Sequence, residues 1–236
     1  MGNWRKRKLE SVVGVTEYPA GPNLAALAAI GRQKIYVTTS GYDDIGRVLT
    51  AIGVDYEPFA GTYDCDLFFL NCGTSDTVNA SSLRKFVESG GCLYASDLTS
   101  SIVTEAFPGS FTFGGNGTSG TVKAEVVDPE LREVIGPRVD VHFDMPAWSV
   151  LAACTGDTLV RASSGTAYSR KPFMVEIDIG RGTVFYTCFH NRAQTSEKES
   201  ALLKLLVLKQ IGASTHRSVA QVSKSLGINL MALKKP

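Results

Sequence analysis

Residue types able to do nucleophilic or acid-base chemistry stand at the ends of apolar runs in this chain. Cys72 follows DLFFLN, Ser96-Asp97 follows CLYA, and His190 follows GTVFYTCF. A buried strand that ends in such a residue delivers it to the carboxyl edge of a sheet, where open α/β proteins bind their ligands. Ser96 beside His190 reads as nucleophile and general base, with amides of the Cys72-Gly73-Thr74 loop as oxyanion donors. Each residue also has a plainer reading. Asp97 serves acid-base work or caps the helix after it, Cys72 is a thiol near the others or a small buried hydrophobe, and His190 is a base or a structural histidine bonded to a loop. Ser40, Asp43 and Arg192, on loops leaving the same edge, join Cys72, Gly73 and Thr74 as binding candidates.

Other chemistries have less behind them. No HxH, HExxH or paired-cysteine spacing occurs, and Asp43, Asp44, Asp76 and Asp97 come from separate loops, so no intrinsic metal and no cofactor are expected. The stretch GSFTFGGNGTSG, residues 109–120, resembles a phosphate cradle only in its glycine content. It lacks the Lys-Ser/Thr of a P-loop and reads as a surface loop.

The elements that must position these residues alternate along the chain. KIYVTT (34–39) is a strand, and Asp43 or Asp44 begins a helix whose Ile45, Val48, Leu49 and Ile52 share a face before Gly53 ends it. Residues 56–59 make a brief strand and 66–71 an apolar one of the kind buried on both faces. In LRKFVESGGCLYASDL, Leu83, Phe86 and Val87 form a helical stripe, Gly90-Gly91 stops it, and residues 92–95 form the next strand, with a helix to follow over 98–107. This alternation predicts a doubly wound, mostly parallel, flavodoxin-like sheet. Strands at 122–127, 139–143, 159–162, 173–179 and 183–189, around a short helix at 129–135 and a Gly180-Arg181-Gly182 turn, predict an antiparallel C-terminal part. Ser196 caps a long helix with a broad leucine face.

With 236 residues, 44% hydrophobic and 20% charged, the chain suits one sizeable α/β core, and no stretch approaches the roughly 20 apolar residues that span a bilayer. The basic start, MGNWRKRKLES, runs into no apolar leader core, and five dispersed cysteines fit a reducing compartment, so a cytoplasmic location is expected. A net charge of +1 hides basic ends, +3 over residues 1–33 and +4 over 213–236, around an acidic body. Such ends are solvated tails or dock on an acidic partner or nucleic acid. Val219, Val222 and Leu226, then Gly227, then Ile228, Leu230 and Leu233 have a spacing similar to a helix-turn-helix core, or to a helical arm that packs on its own domain or a partner.

The order of these pieces, with DLFFLNCG, FVESGGCLYAS and GRGTVFYTCFH before a terminal helix, resembles the class I glutamine amidotransferase-like superfamily, in its trehalose-utilisation-like branch, over residues 34–212. The resemblance implies a nucleophile elbow at Asp97, or at Ser96 if the register slips by one, and a catalytic histidine at His190. The family's cysteine is not at the elbow. Cys92 lies at the other end of that strand, about 14 Å away, and Arg192 stands where the family has its acid. The expected organisation is an extension (1–33), an amidotransferase-like α/β domain (34–212) and a basic helical tail (213–236). The expected function is that of a pseudoenzyme: a binding or assembly module with a protein partner or a second copy, or a small ligand at the carboxyl edge. The alternatives are a hydrolase using Ser96 or Asp97 with His190 and, behind it, a nucleic-acid-associated factor.

Overall fold

Residues 33–234 are described here, from a computed structural model; nearly all of the expected extension (1–33) lies outside them. Short β-branched and aromatic runs form the strands, and glycine or capped polar residues separate them from helices. In chain order these are β1 (Ile35–Val37), α1 (Ile45–Ala51), β2 (Glu57–Pro58), β3 (Leu67–Leu70), α2 (Ala80–Glu88), β4 (Cys92–Ser96) and α3 (Ser100–Ala106). The second half has β5 (Phe111–Asn116), β6 (Gly120–Val126), α4 (Pro129–Ile135), β7 (Arg138–Phe143), β8 (Ser149–Cys154), β9 (Asp157–Ala162), β10 (Pro172–Ile179) and β11 (Gly182–Thr187). The helices α5 (Glu197–Thr215) and α6 (Val219–Ser225) follow.

Nine strands form one sheet in the order β2-β1-β3-β4-β11-β10-β9-β6-β7. From β2 to β11 neighbours run parallel, and from β11 to β7 antiparallel. The chain is therefore an α/β protein with a flavodoxin-like parallel half and an antiparallel extension, as its pattern predicts. Because β1 connects outward to β2 while β3 lies on its other side, right-handed crossovers reverse direction between β1 and β3. That reversal opens the crevice in which ligands of doubly wound sheets sit. The exits of β3, β4 and β11 share this edge, since those strands are parallel neighbours.

The surface loop expected at 109–120 is instead largely strand. β5 pairs antiparallel with β8 in a separate two-stranded sheet, and β8 itself was not expected. Phe111 and Phe113 face the ring of Tyr186 at 5.7 and 5.4 Å, so alternating aromatics override the glycines that follow them. Gly117 fits because a Cβ there would fall 2.0 Å from the Trp148 ring.

Candidate functional site

Four loops meet at the carboxyl edge. Asn71, at the end of β3, ties the first two: its backbone N–H donates to Thr38 Oγ1 (2.9 Å), its Nδ2 to Thr38 O (2.9 Å), and its Oδ1 accepts from Ile45 N (2.9 Å). Cys72 O then accepts the N–H groups of Tyr42 and Asp43 (2.9 and 3.2 Å). The loops touch through glycine, since a Cβ on Gly41 would lie 2.0 Å from Gly73 O.

Asp43 is buried and binds the loop after β11. Its Oδ1 accepts from Asn191 N (2.7 Å), Arg192 N (3.4 Å) and its neighbour Asp44 N (3.1 Å). Burial pushes its carboxyl up to about 6, against the pull of Ser96, His190 and those amides. Arg192 reaches back over the surface to Gly41 O (3.1 Å). Thr74 pairs hydroxyls with Thr39 (2.9 Å) and donates to Asp76 (3.2 Å).

Asp97 occupies the elbow between β4 and the 3-10 turn Asp97–Thr99, with φ +40°, a left-handed conformation that a non-glycine residue rarely adopts. Its carboxylate is fully engaged: Oδ1 accepts from Ser149 N at the start of β8 (2.7 Å), and Oδ2 lies 3.0 Å from His190 Nε2. The same Nε2 lies 3.2 Å from Cys72 Sγ, and Nδ1 lies 2.9 Å from Asp144 Oδ1. Cys72, Asp97 and His190 are 0%, 2% and 3% exposed, and the half-exposed ring of Tyr42 stacks on the imidazole at 6.1 Å. Burial pulls His190 down, but its contacts with Asp97 and Cys72 and the charge of Asp43 outweigh that and raise it to about 11.

The sequence candidates thus separate into two groups. Cys72, Asp97 and His190 come together, with Asp43 close behind. Ser96 bonds elsewhere: it is the last residue of β4, and its Oγ accepts from Cys72 N (3.2 Å), an interaction that also occupies one of the amides suggested as an oxyanion donor. The acid on the far side of His190 is Asp144, which sequence reasoning missed. β7 lies at the far edge of the sheet, and Gln194 clips its end back by bonding His142 N (3.1 Å), His142 O (2.7 Å) and His190 O (3.0 Å). The one local signal was an acid directly after an apolar strand, HFD. Although they come from three separate strand exits, Cys72, Asp97 and His190 place one potential ligand atom each within 4.8 Å of one another.

No family model and no curated protein matches the sequence. Solved structures do match the fold. A cold-adapted β-galactosidase from Rahnella sp. R3 superimposes with TM-score 0.55 at 13% identity over 77% of this chain, which spans only 32% of the galactosidase. A GMP synthase-like protein from Thermoplasma acidophilum gives 0.55 at 14% identity, covering 78% of this chain and 94% of that one. A ThuA-like protein from Bacteroides uniformis gives 0.54 at 11%, covering 84% and 95%. At such identities the likeness concerns architecture: the chain has the fold of the class I glutamine amidotransferase-like proteins.

Proposed function

We propose that this chain is a non-catalytic amidotransferase-like module that binds or assembles with a partner rather than turning over a substrate. The observation that carries this reading is the elbow. A nucleophile must present a free atom to substrate, whereas Asp97 is buried with one oxygen on Ser149 N–H and the other on His190. The histidine supports the same reading. A ring held protonated at neutral pH by Asp97, Cys72 and Asp43 is a poor general base. The contacts at the edge read as a lock joining the exits of β3, β4 and β11.

A second reading has one observation behind it, the contact of 3.2 Å between Cys72 Sγ and His190 Nε2, a thiol-imidazole pair of the kind used in acyl transfer. Wild type and His190→Ala, compared in thermal melts and in glutaminase, esterase and amidase assays, separate the two. The module reading expects no glutamine-dependent ammonia release and a loss of about 3 to 5 kcal/mol in His190→Ala, because a buried carboxylate loses its partner. An unchanged melting temperature together with lost hydrolysis would overturn it.

A further inference from the structure

His190 Nε2 has more partners than it can satisfy. Asp144 Oδ1, 2.9 Å from Nδ1, accepts the Nδ1 proton, so at most one further proton sits at Nε2. Asp97 Oδ2, at 3.0 Å, and the Cys72 thiol, at 3.2 Å, nevertheless both crowd that nitrogen. A single hydrogen can point at one of them. A cation between the three atoms satisfies all of them at once.

We propose that Cys72 Sγ, Asp97 Oδ2 and His190 Nε2 form a binding site for a zinc-class divalent cation, which staples together the carboxyl ends of β3, β4 and β11. The donor set of one thiolate, one imidazole and one carboxylate suits borderline-soft Zn²⁺ and not the all-oxygen preference of Mg²⁺ or Ca²⁺. Bond lengths of about 2.0 to 2.3 Å at tetrahedral angles separate donor atoms by roughly 3.3 to 3.5 Å, so the two separations from His190 Nε2, 3.0 and 3.2 Å, need to open by only a few tenths of an ångström. Two of the three ligands are also held from behind. Asp144 fixes the ring of His190, and Ser149 N–H fixes Asp97, which is the outer-shell arrangement that orients metal ligands. A thiolate and a carboxylate balance the two charges of the ion, which suits a buried site. Entry of the ion releases the Cys72 thiol proton and the proton at His190 Nε2 to the buffer. The proposal goes beyond the module reading and stands whether or not the edge is catalytic.

The test uses the full chain, stripped with a chelator and titrated with ZnCl₂ or CoCl₂. Expected are one zinc per chain retained through gel filtration, a raised melting temperature, proton release on titration, and a thiolate-to-cobalt absorption band. Cys72→Ser should lose the band, Cys154→Ser should keep it, and Asp144→Asn should bind about 10 to 100 times more weakly. If Cys72→Ser does not fold, the wild-type stoichiometry, melting shift and proton release decide. Zinc well below one per chain, a melt unchanged by zinc, or a cobalt band that survives in Cys72→Ser would overturn the proposal.

Discussion

Asp43 holds the loop after β11 by collecting backbone amides, yet it does so as a buried carboxylate. Because burial raises its folded value to about 6, above the roughly 3.9 of an unfolded aspartate, the folded state binds its proton more tightly than the unfolded state. Its contribution to stability is therefore greatest below about pH 4 and is lost as pH rises through about 6. An amide at this position keeps an oxygen for Asn191 N–H and has no proton to lose. Asp43→Asn should thus gain stability relative to wild type as pH rises, by about 1 to 1.5 kcal/mol between about pH 5 and about pH 7.5. Guanidinium unfolding of both proteins at the two pH values checks this, and a constant difference would refute it.

The long helix α5 shows what a leucine pattern does and does not reveal. Ser196 caps the helix as expected, in a capping box with Glu199 that sequence reasoning missed, and the leucine face lies on the sheet. From Ala201 to Gly212, however, nearly the whole circumference is buried, because α1, α4 and α6 cover the sides that would otherwise meet solvent. Lys209 is consequently a buried cation, 3.0 Å from Asp128, 3.1 Å from Glu130 and 3.5 Å from Glu176. Burial alone would lower its pKa, but the charges of Glu176, Asp128 and Glu130 raise it well above the usual lysine value, so this contribution holds throughout the neutral range and is lost only at strongly alkaline pH. Lys209→Met leaves three acids facing one another without a cation and should cost about 3 to 5 kcal/mol in denaturant unfolding, partly regained in Lys209→Met/Glu176→Gln. A loss below about 1 kcal/mol would mean the acids find other partners. Periodicity could not reveal this cluster, since its members are brought together from α4, β10 and α5 by packing. Asp144 and β8 were hidden for a related reason: their partners are distant in sequence. The parallel strands, by contrast, were legible as apolar runs between glycine and capping residues, and with them the convergence of Cys72, Asp97 and His190 on one edge.

The C-terminal segment bears on what the whole molecule presents to a partner. Its spacing resembles a helix-turn-helix core, but among the described residues α6 is followed by a turn at Gly227 and only a 3-10 turn, Ala232–Lys234. Val219 and Val222 are buried in the core, and Leu226, Ile228, Leu230 and Leu233 pack against it. The chain reverses tightly to reach that position: His216 takes the left-handed conformation at the end of α5, Arg217 N donates to Gly212 O (2.8 Å), and a Cβ on Gly212 would stand 2.5 Å from Arg217 O. Glu130 Oε1 accepts from Val219 N (3.0 Å) while its Oε2 holds Lys209, so the start of α6 is joined to the buried charge cluster. The apolar residues of this segment are thus part of the core of the described chain. Removing residues 216–236 uncovers the apolar side of α5 and should cost roughly 3 kcal/mol or more from the two valines alone, with aggregation on mild heating. A detachable arm predicts the contrary: the truncated chain would melt at the wild-type temperature and stay monomeric, while salt-sensitive nucleic-acid binding present in the full chain would be lost.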